Sequence, residues 1–202
     1  MPPGPRPIHS VAPTRSSSVP EKYFSSVSTD EKYFSGTLDD LVGATECIGR
    51  GPGGIPCLRK DFFLHPIQVV QAARAGASAI LIIVRMLKQK EIRALYRAAN
   101  LAGLDAIFEI HTEEDLERAI LANAKIVGVN NRNLATFSTD LAVSEDLIPK
   151  IPPPLISIAE SGISTLQDVR RIKAVGAHAT LIGQALMQHE DPESFIEQIH
   201  EL

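Results

Sequence analysis

The chain of 202 residues is poor in cysteine, in excess positive charge and in long apolar runs. Its two cysteines, Cys47 and Cys57, have no CxxC spacing, which indicates two core-filling thiols in a reducing compartment rather than a disulfide framework. Twenty basic residues against 24 acidic ones give a net charge of -4, so nucleic acid and anionic membranes are poor partners. The longest apolar run, residues 77–84, is interrupted by Ser78 and falls far short of the ~20 residues of a membrane helix.

Residues 1–20 contain no acidic side chain and no apolar core segment, which excludes a secretory signal. They are rich in proline and serine and carry Arg6 and Arg15, as organellar presequences do, but the prolines oppose the amphipathic helix of such presequences. We therefore predict a disordered segment over residues 1–25 and one domain over 26–202. A cytoplasmic location is expected, with organelle targeting as the alternative.

From Pro56 onward, short apolar runs alternate with longer segments that have the apolar spacing of helices. Strands are predicted over residues 56–59, 79–85, 105–110, 125–130, 155–159 and 179–182. Helices are predicted to begin at Thr112, Ser164 and Asp191 and to stop at Gly76, Gly103 and Gly176. Strand starts about 20 to 30 residues apart are typical of βαβ units in a parallel sheet. Before Pro56, the pattern predicts only a strand ending near residues 27–29 and a short helix near 38–42.

Such alternation allows an open doubly wound sheet or a closed barrel, and the polar residues discriminate between them. Nearly every predicted strand ends in a charged or amide residue: Lys60, Arg85, Glu109, Asn130, Arg132 and Glu160. An open sheet needs polar groups mainly at its one switch point, whereas a barrel brings all strand ends to one rim. The sequence therefore favours an α/β fold of the (β/α)8 TIM-barrel type.

At such a rim, Lys60, Glu109 and Glu160 point into one partly dehydrated pocket, where a lysine serves as general acid and a carboxylate as base. Each residue alone is more simply a surface loop residue or half of an ion pair. Their recurrence at the same position in successive units favours the catalytic interpretation. His111 follows Glu109 by two positions; it either lines the pocket or, as we favour, is an ordinary polar loop residue.

Two glycine-containing turns at the end of the chain suggest a phosphate site. Gly162 and Gly183 each follow a predicted strand directly, at the last two strands. In barrels these two loops commonly bind phosphate through backbone N–H groups. Each turn alone is an ordinary βα connection, but the tandem favours phosphate. The six histidines show no HxxxH or HExxH spacing, so no metal site is predicted, and GxGxxG and GxSxG motifs are absent.

Five segments stand in order along the chain: LRKDFFLHPIQVVQAARAGASAILIIV, FEIHTEEDLERAI, VGVNNRNLATF, IAESGIS and LIGQALM. They resemble the barrel motifs of the indole-3-glycerol-phosphate synthase family of tryptophan biosynthesis, and the resemblance extends from about Ser28 to Leu202. It implies a (β/α)8 barrel and a carboxy-lyase that converts 1-(2-carboxyphenylamino)-1-deoxyribulose 5-phosphate to indole-3-glycerol phosphate, releasing carbon dioxide and water. It implies no cofactor.

The resemblance also implies roles for individual residues. Lys60 matches the general acid on the substrate's ketone oxygen, and Glu109 matches the carboxylate of proton transfer in dehydration. Asn130 and Glu160 match residues that orient the substrate hydroxyls and the closing ring. The substrate-binding matches are Arg132 and Ser161 as pocket neighbours, and Gly162, Gly183 and Gln184 as backbone donors to the phosphate.

One part of the family pattern has no match. Family members begin with a strand bearing a Glu, a Lys and a Ser-Pro-Ser turn, as in EVKKASPS, and residues 1–27 contain no such segment. We therefore expect a barrel incomplete at strand 1, whose edges lead to dimerisation, to replacement by the N-terminal segment, or to instability. The expected state is a monomer or homodimer that binds a small phosphorylated substrate. The alternatives are an inactive remnant that binds a phosphorylated ligand or partner chain, and another phosphate-binding barrel enzyme.

Overall fold

The structure, a computed structural model, describes residues 8–13, 24–31, 35–48 and 54–202, with only the backbone of residues 8–13. The strands are β1 (Ile8–Pro13), β2 (Phe24–Ser28), β3 (Cys57–Lys60), β4 (Ala79–Ile83), β5 (Asp105–Ile110), β6 (Ile126–Asn130), β7 (Ile156–Glu160) and β8 (Ala179–Ile182). The α-helices are α1 (Leu38–Cys47), α2 (Pro66–Arg74), α3 (Gln89–Leu101), α4 (Glu113–Leu121), α5 (Ala142–Leu147), α6 (Leu166–Ala174), α7 (Gln184–Gln188) and α8 (Pro192–His200). Short 3-10 helices cover Val84–Met86 and Ile148–Lys150.

These strands form a closed barrel in chain order. Strands β2–β8 are parallel, and the six strands predicted from Pro56 onward are confirmed to within two residues at each end. The predicted TIM-barrel architecture is therefore confirmed, with its departure at strand 1. No helix in the described part of the chain has both the length and the apolar character needed to cross a membrane.

Strand β1 occupies the gap at the first-strand position and runs antiparallel to both neighbours. Ile8 lies opposite Val27 of β2, and Pro13 lies opposite Ala179 of β8. A parallel connection needs a crossover of a dozen or more residues, whereas only residues 14–23 separate β1 from β2. Within the segment predicted to be disordered, the structure thus places a strand, while residues 1–7 and 14–23 lie outside the described residues.

Side chains pack in two layers on the two faces of the strands. One apolar cluster fills the barrel interior: Leu58, Leu81, Ile83, Ile107, Ile158 and Leu181. A larger cluster lies between strands and helices, where α3 contributes Ile92, Leu95 and Ala99 at spacings of three and four. Because side chains alternate along a strand, Leu58 and Lys60 face the interior while Arg59 faces the helices. The last inward-facing side chain of a strand, such as Lys60 on β3, therefore lies at the rim that the carboxyl ends of the strands form.

The helix starts follow the predicted capping residues closely. Thr112 accepts a hydrogen bond from Asp115 N, and Asp191 accepts one from Ser194 N with Pro192 at the first helical position. The cap of α6 is Thr165, one residue later than predicted, because Thr165 and Asp168 form a reciprocal capping box. The predicted stops Gly76, Gly103 and Gly176 all have positive φ.

Candidate active site

The carboxyl ends of three strands bring one ammonium group between two carboxylates. Lys60 ends β3, and its Nζ lies 3.3 Å from Glu109 Oε2 on β5 and 3.2 Å from Glu160 Oε2 on β7. The carboxylate side chains are 2% and 1% exposed, but that of Lys60 is 25% exposed. The lysine therefore forms the solvent-facing side of this cluster, and a molecule entering the barrel mouth meets it first.

The electrostatics of this cluster favour a charged lysine and a Glu160 poised to exchange a proton. Burial alone lowers the Lys60 pKa, but attraction to Glu160 and Glu109 outweighs it and holds the pKa well above its usual range. Burial raises the pKa of the Glu160 carboxyl to about 7, with Lys60 opposing that shift and Glu109 adding to it. The cluster thus holds a proton donor and an acceptor near neutral pH.

Gly128 makes room for this cluster. It lies on β6 between Glu109 and the neighbouring β7, and a Cβ atom there would be 2.0 Å from Glu160 Oε1 and 3.1 Å from Ile107 Cγ2. Only a residue without a side chain fits under the Glu160 carboxylate. Gly128 was not among the predicted site residues, although a glycine inside a predicted strand is itself a signal of close approach.

The end of β6 places Asn130 and Arg132 on the rim beside the last strand. Asn130 is buried, and its Oδ1 accepts a hydrogen bond from Arg132 N at 2.9 Å. The Arg132 Nη2 group donates to Gln184 Oε1 at 3.2 Å. These contacts bring the loops after β6 and β8 together. Glu160 lies opposite Asn130 on the neighbouring strand β7. Four predicted site residues therefore share one edge of the barrel: Asn130, Arg132, Glu160 and Gln184.

Asn131 is a positioning residue that the sequence analysis missed. Its Nδ2 donates to the carbonyls of Glu160 and Ser161 at 3.1 and 3.0 Å, and its Oδ1 accepts from Ser144 N at 3.0 Å. The side chain therefore joins β6, the end of β7 and α5. The doubled asparagine in VNNRN could have indicated this role, because side chains alternate along a strand and only one of two successive asparagines can face the pocket.

The turn after β7 has the left-handed backbone that a tight approach requires. Ser161 has φ 64° and Gly162 has φ 75°. A Cβ on Gly162 would lie 3.0 Å from Thr139 Cβ, so the turn packs against the loop after β6. After β8, Gly183 is the N-cap of α7, which begins at Gln184. Both glycine turns predicted as phosphate-binding elements thus lie on the same rim as Lys60.

His111 lies in the bend just after β5, but its ring is largely buried, unlike that of the ordinary polar loop residue that we favoured. Its side chain is 6% exposed, and Nε2 lies 3.6 Å from Glu109 Oε1. Arg85, which was also predicted for the rim, lies exposed on the 3-10 helix after β4. Sequence spacing alone could not decide this, because residue 111 lies just past the strand, where alternation no longer fixes the side.

A buried ion pair supports the strand that carries Lys60. Arg59 Nη2 lies 2.6 Å from Asp61 Oδ2, and the same carboxylate oxygen accepts from Thr29 Oγ1 at 2.7 Å. Arg59 Nη1 also donates to the carbonyl of Gln68 at 2.9 Å, and its guanidinium lies over the Phe63 ring. These contacts fix the loop after Lys60 to β2 and α2.

The two thiols differ from each other. Cys57 is buried, and burial raises its pKa to about 11, which keeps the thiol protonated and unreactive. Cys47 is exposed, so the expectation of two core-filling thiols holds only for Cys57.

Among the described residues, no three His, Cys, Asp or Glu side chains form a group that could hold a metal ion.

Comparison with known proteins gives consistent relatives. A family model described as indole-3-glycerol phosphate synthase matches residues 10–199. The indole-3-glycerol phosphate synthase of Opitutus terrae is 57% identical over 171 residues, which cover 85% of this chain and 64% of that protein. The multifunctional tryptophan biosynthesis protein of Schizosaccharomyces pombe is 36% identical over 174 residues, 86% of this chain and 23% of that protein.

Solved structures agree on the fold. The 3-hexulose-6-phosphate synthase of Salmonella typhimurium superposes with a TM-score of 0.71 at 17% identity, covering 86% of this chain and 83% of that one. The chain spans 64% of the length of the Opitutus terrae protein.

Proposed function

The chain belongs to the indole-3-glycerol phosphate synthase family, and from this premise we propose that it closes the indole ring of 1-(2-carboxyphenylamino)-1-deoxyribulose 5-phosphate. The observation that carries the proposal is the Lys60 ammonium held between the Glu109 and Glu160 carboxylates at the barrel mouth. Ring closure with loss of carbon dioxide and water needs a proton donor and a proton acceptor within reach of the same carbons.

In the proposed mechanism, Lys60 gives the first proton. The aromatic carbon that bears the carboxylate forms a bond to the ketone carbon, and the carbonyl electron pair takes a proton from Lys60 Nζ. Carbon dioxide then leaves, and the electrons of the broken carbon–carboxylate bond restore the aromatic ring. The high pKa of Lys60 in the free site keeps the donor loaded with its proton until substrate arrives.

Glu109 and Glu160 handle the protons of the second stage. The new hydroxyl takes a proton from the Glu160 carboxyl and leaves as water, and Glu109 takes the proton lost from the carbon beside the nitrogen as the indole double bond forms. Glu160 can carry that proton near neutral pH because its pKa is raised to about 7, and with Asn130 it orients the substrate hydroxyls. In this scheme each carboxylate is held by a different strand, so their separation does not depend on one loop.

The phosphate is the anchor remote from the reacting carbons. We assign it to the turns at Gly162 and Gly183, with Ser161, Gln184 and Arg132 at the edge of the same pocket. Binding energy from this end holds the ketone near Lys60, which is how remote contacts contribute to turnover. The Arg132 guanidinium and the backbone N–H groups of the two turns would supply local donors for the phosphate, although the net charge of the chain is -4.

Turnover of the carboxyphenylamino sugar phosphate by the purified chain tests the proposal, with the indole product followed by its fluorescence. We expect Lys60→Ala and Glu109→Ala each to lower kcat by ~100- to 10,000-fold. Lys150→Ala is the matched control, because Lys150 also lies between two carboxylates, Glu113 and Asp146, but on the surface. Turnover that survives both rim substitutions would refute these assignments.

A second candidate function follows from the direction of β1. Because β1 is antiparallel, its amino end rather than its carboxyl end lies at the rim, so it cannot present strand-end groups there as a parallel first strand does. On that observation, the chain binds phosphorylated ligands without converting them. Saturable binding of indole-3-glycerol phosphate by calorimetry together with no turnover would favour this function over the first.

A further inference from the structure

His111 lies on the side of the Glu109 carboxylate that faces away from Lys60. Lys60 Nζ lies 3.3 Å from Oε2, whereas His111 Nε2 lies 3.6 Å from Oε1. The Lys60 ammonium therefore approaches one oxygen of the Glu109 carboxylate, and the His111 imidazole approaches the other. A separation of 3.6 Å is longer than a formed hydrogen bond, but catalytic hydrogen bonds often tighten only when substrate binds.

Burial makes this pair significant. The side chains of His111 and Glu109 are 6% and 2% exposed. Among the described residues, Glu109 Oε1 and both ring nitrogens of His111 have no hydrogen-bond partner. Buried polar atoms without partners cost folding free energy and call for a reason. For two of these atoms a partner is close by, since His111 Nε2 and Glu109 Oε1 are already neighbours and can form a hydrogen bond with each other.

Hydrogen bonds at the start of α4 hold the backbone of His111 in place. His111 N donates to Asp115 Oδ2 at 3.0 Å, and Asp115 N donates to Thr112 Oγ1 at 3.2 Å at the start of α4. The histidine is therefore fixed between the end of β5 and the first turn of the following helix. With the backbone held there, the ring needs only a small side-chain rotation to approach Glu109.

The surroundings favour a neutral ring. Burial lowers the pKa of His111, and Glu109 on β5 and Asp115 on α4 raise it, while Arg85 after β4 and Lys60 on β3 lower it. Because the net shift is downward, the imidazole is uncharged at neutral pH and has one N–H group and one acceptor nitrogen. A neutral donor adds a hydrogen bond to Glu109 without adding a second positive charge beside Lys60.

We propose that His111 is a positioning residue for Glu109: its Nε2–H group donates to Oε1 and fixes the carboxylate in the orientation in which it accepts the substrate's proton. The catalytic part of this inference rests on the proposed ring-closure function. The hydrogen bond itself does not, so it can be tested whether or not the chain turns over substrate.

Nitrogen-15 NMR of the histidine rings tests the hydrogen bond directly. At pH 7 we expect His111 to be neutral with the proton on Nε2, and Glu109→Gln to change the Nε2 shift while leaving His178 unaffected. His178 is the internal control, because its Nδ1 lies 2.8 Å from Ser157 Oγ in the part of the barrel away from the rim. A protonated ring, a proton on Nδ1, or His111 shifts unchanged by Glu109→Gln would overturn the proposal.

Two amide substitutions separate the two ring nitrogens by kinetics. The Gln side chain places an N–H group where Nε2 lies, whereas the Asn side chain places one where Nδ1 lies. We expect His111→Gln to keep kcat within about threefold of the wild type and His111→Asn and His111→Leu to lower kcat by ~10- to 100-fold at a similar KM. His178→Gln should leave both constants unchanged.

The kinetic result also separates positioning from simple core filling. Leu fills the site as well as Gln does, so equal kcat values for the Gln and Leu variants would contradict a positioning role. If the wild-type chain shows no turnover, the ring-closure function fails while the NMR result still decides the His111–Glu109 hydrogen bond.

Discussion

Two parts of the barrel wall are built differently. The arc of strands β3–β7 is parallel throughout, has Leu58, Ile107 and Ile158 inside, and ends in the Lys60–Glu109–Glu160 cluster. The seam of β8, β1 and β2 contains an antiparallel strand and small polar residues such as Ser25 and Ser26, which are buried. The arc positions the reacting groups, while the seam mainly closes the sheet.

The strands that close the barrel need not be the strands that carry its reacting groups. Small polar side chains bury less apolar surface than Leu and Ile, so the seam contributes less hydrophobic stabilisation per residue than the arc. Its contribution is the pairing of the β2 and β8 edges, which would otherwise be exposed. The following predictions test whether the two regions are separable, in decreasing order of expected effect.

The largest effect is expected where the arc is joined to the seam. Asp61→Ala leaves the buried Arg59 guanidinium without its carboxylate and removes the bond from Thr29, so the free energy of unfolding should fall by about 3–5 kcal/mol. The exposed pair of Glu145 and Arg171 is the control, and Glu145→Ala should cost less than about 1 kcal/mol. Urea unfolding measures both. Equal losses would mean that the Arg59–Asp61 pair does not tie the regions together.

Within the arc, Gly128→Ala should displace Glu160. The added methyl group would overlap Oε1 and press on Ile107, so we expect a loss of about 1–3 kcal/mol in unfolding free energy and a fall in any turnover. Gly43→Ala is the matched control in α1, since its Cβ would meet no atom within 4 Å and alanine favours helices by about 1 kcal/mol. A Gly128→Ala variant as stable and active as wild type would contradict the close packing.

Within the seam, Val11→Pro should weaken closure without touching the rim cluster. Val11 is paired with Phe24 on one side and Leu181 on the other, so its N–H group faces a neighbouring strand and proline removes a ladder hydrogen bond. We expect a loss of about 1–2 kcal/mol, measured by urea unfolding. Val11→Thr keeps the N–H group and should change stability by less than about 0.5 kcal/mol. Identical stability of all three chains would show that β1 pairing contributes nothing.

Counted per pH unit, the smallest effect is expected from the titration of Glu160. A carboxyl whose pKa is raised by folding binds its proton more tightly when folded, so Glu160 makes the chain less stable as pH rises from about 4.5 to about 7. The slope from this one group is at most ~1.4 kcal/mol per pH unit. Glu160→Gln should reduce that fall when unfolding is measured at pH 5 and pH 7. An unchanged pH dependence would show that Glu160 is not the titrating group.

The sequence predicted most of the arc because its signals are local. Alternating apolar runs, caps such as Thr112 and stops such as Gly103 are set by neighbours a few residues away, and they fixed strands such as β5 (Asp105–Ile110) at both ends. The rim residues Lys60, Glu109 and Glu160 could be placed together because parallel strands bring their carboxyl ends to one edge.

The contacts that escaped prediction depend on how side chains pack at the rim. Gly128 matters because of an Oε1 atom on another strand, Asn131 because of the carbonyls at the end of β7, and His111 because its ring lies beside Glu109 just past the end of β5. Their partners lie 2 to 32 positions away, and no local pattern distinguishes which partner each will meet.

The sequence by itself determined the order of strands and helices, the polar ends of the strands and the family to which the chain belongs. The tertiary structure decided the direction of β1 and the depth at which the side chains of Glu109, Glu160 and His111 are buried, and this burial raises the pKa of Glu160 and lowers the pKa of His111. The physical reason is that periodicity and capping depend on near neighbours, whereas burial and strand pairing depend on which distant segments meet.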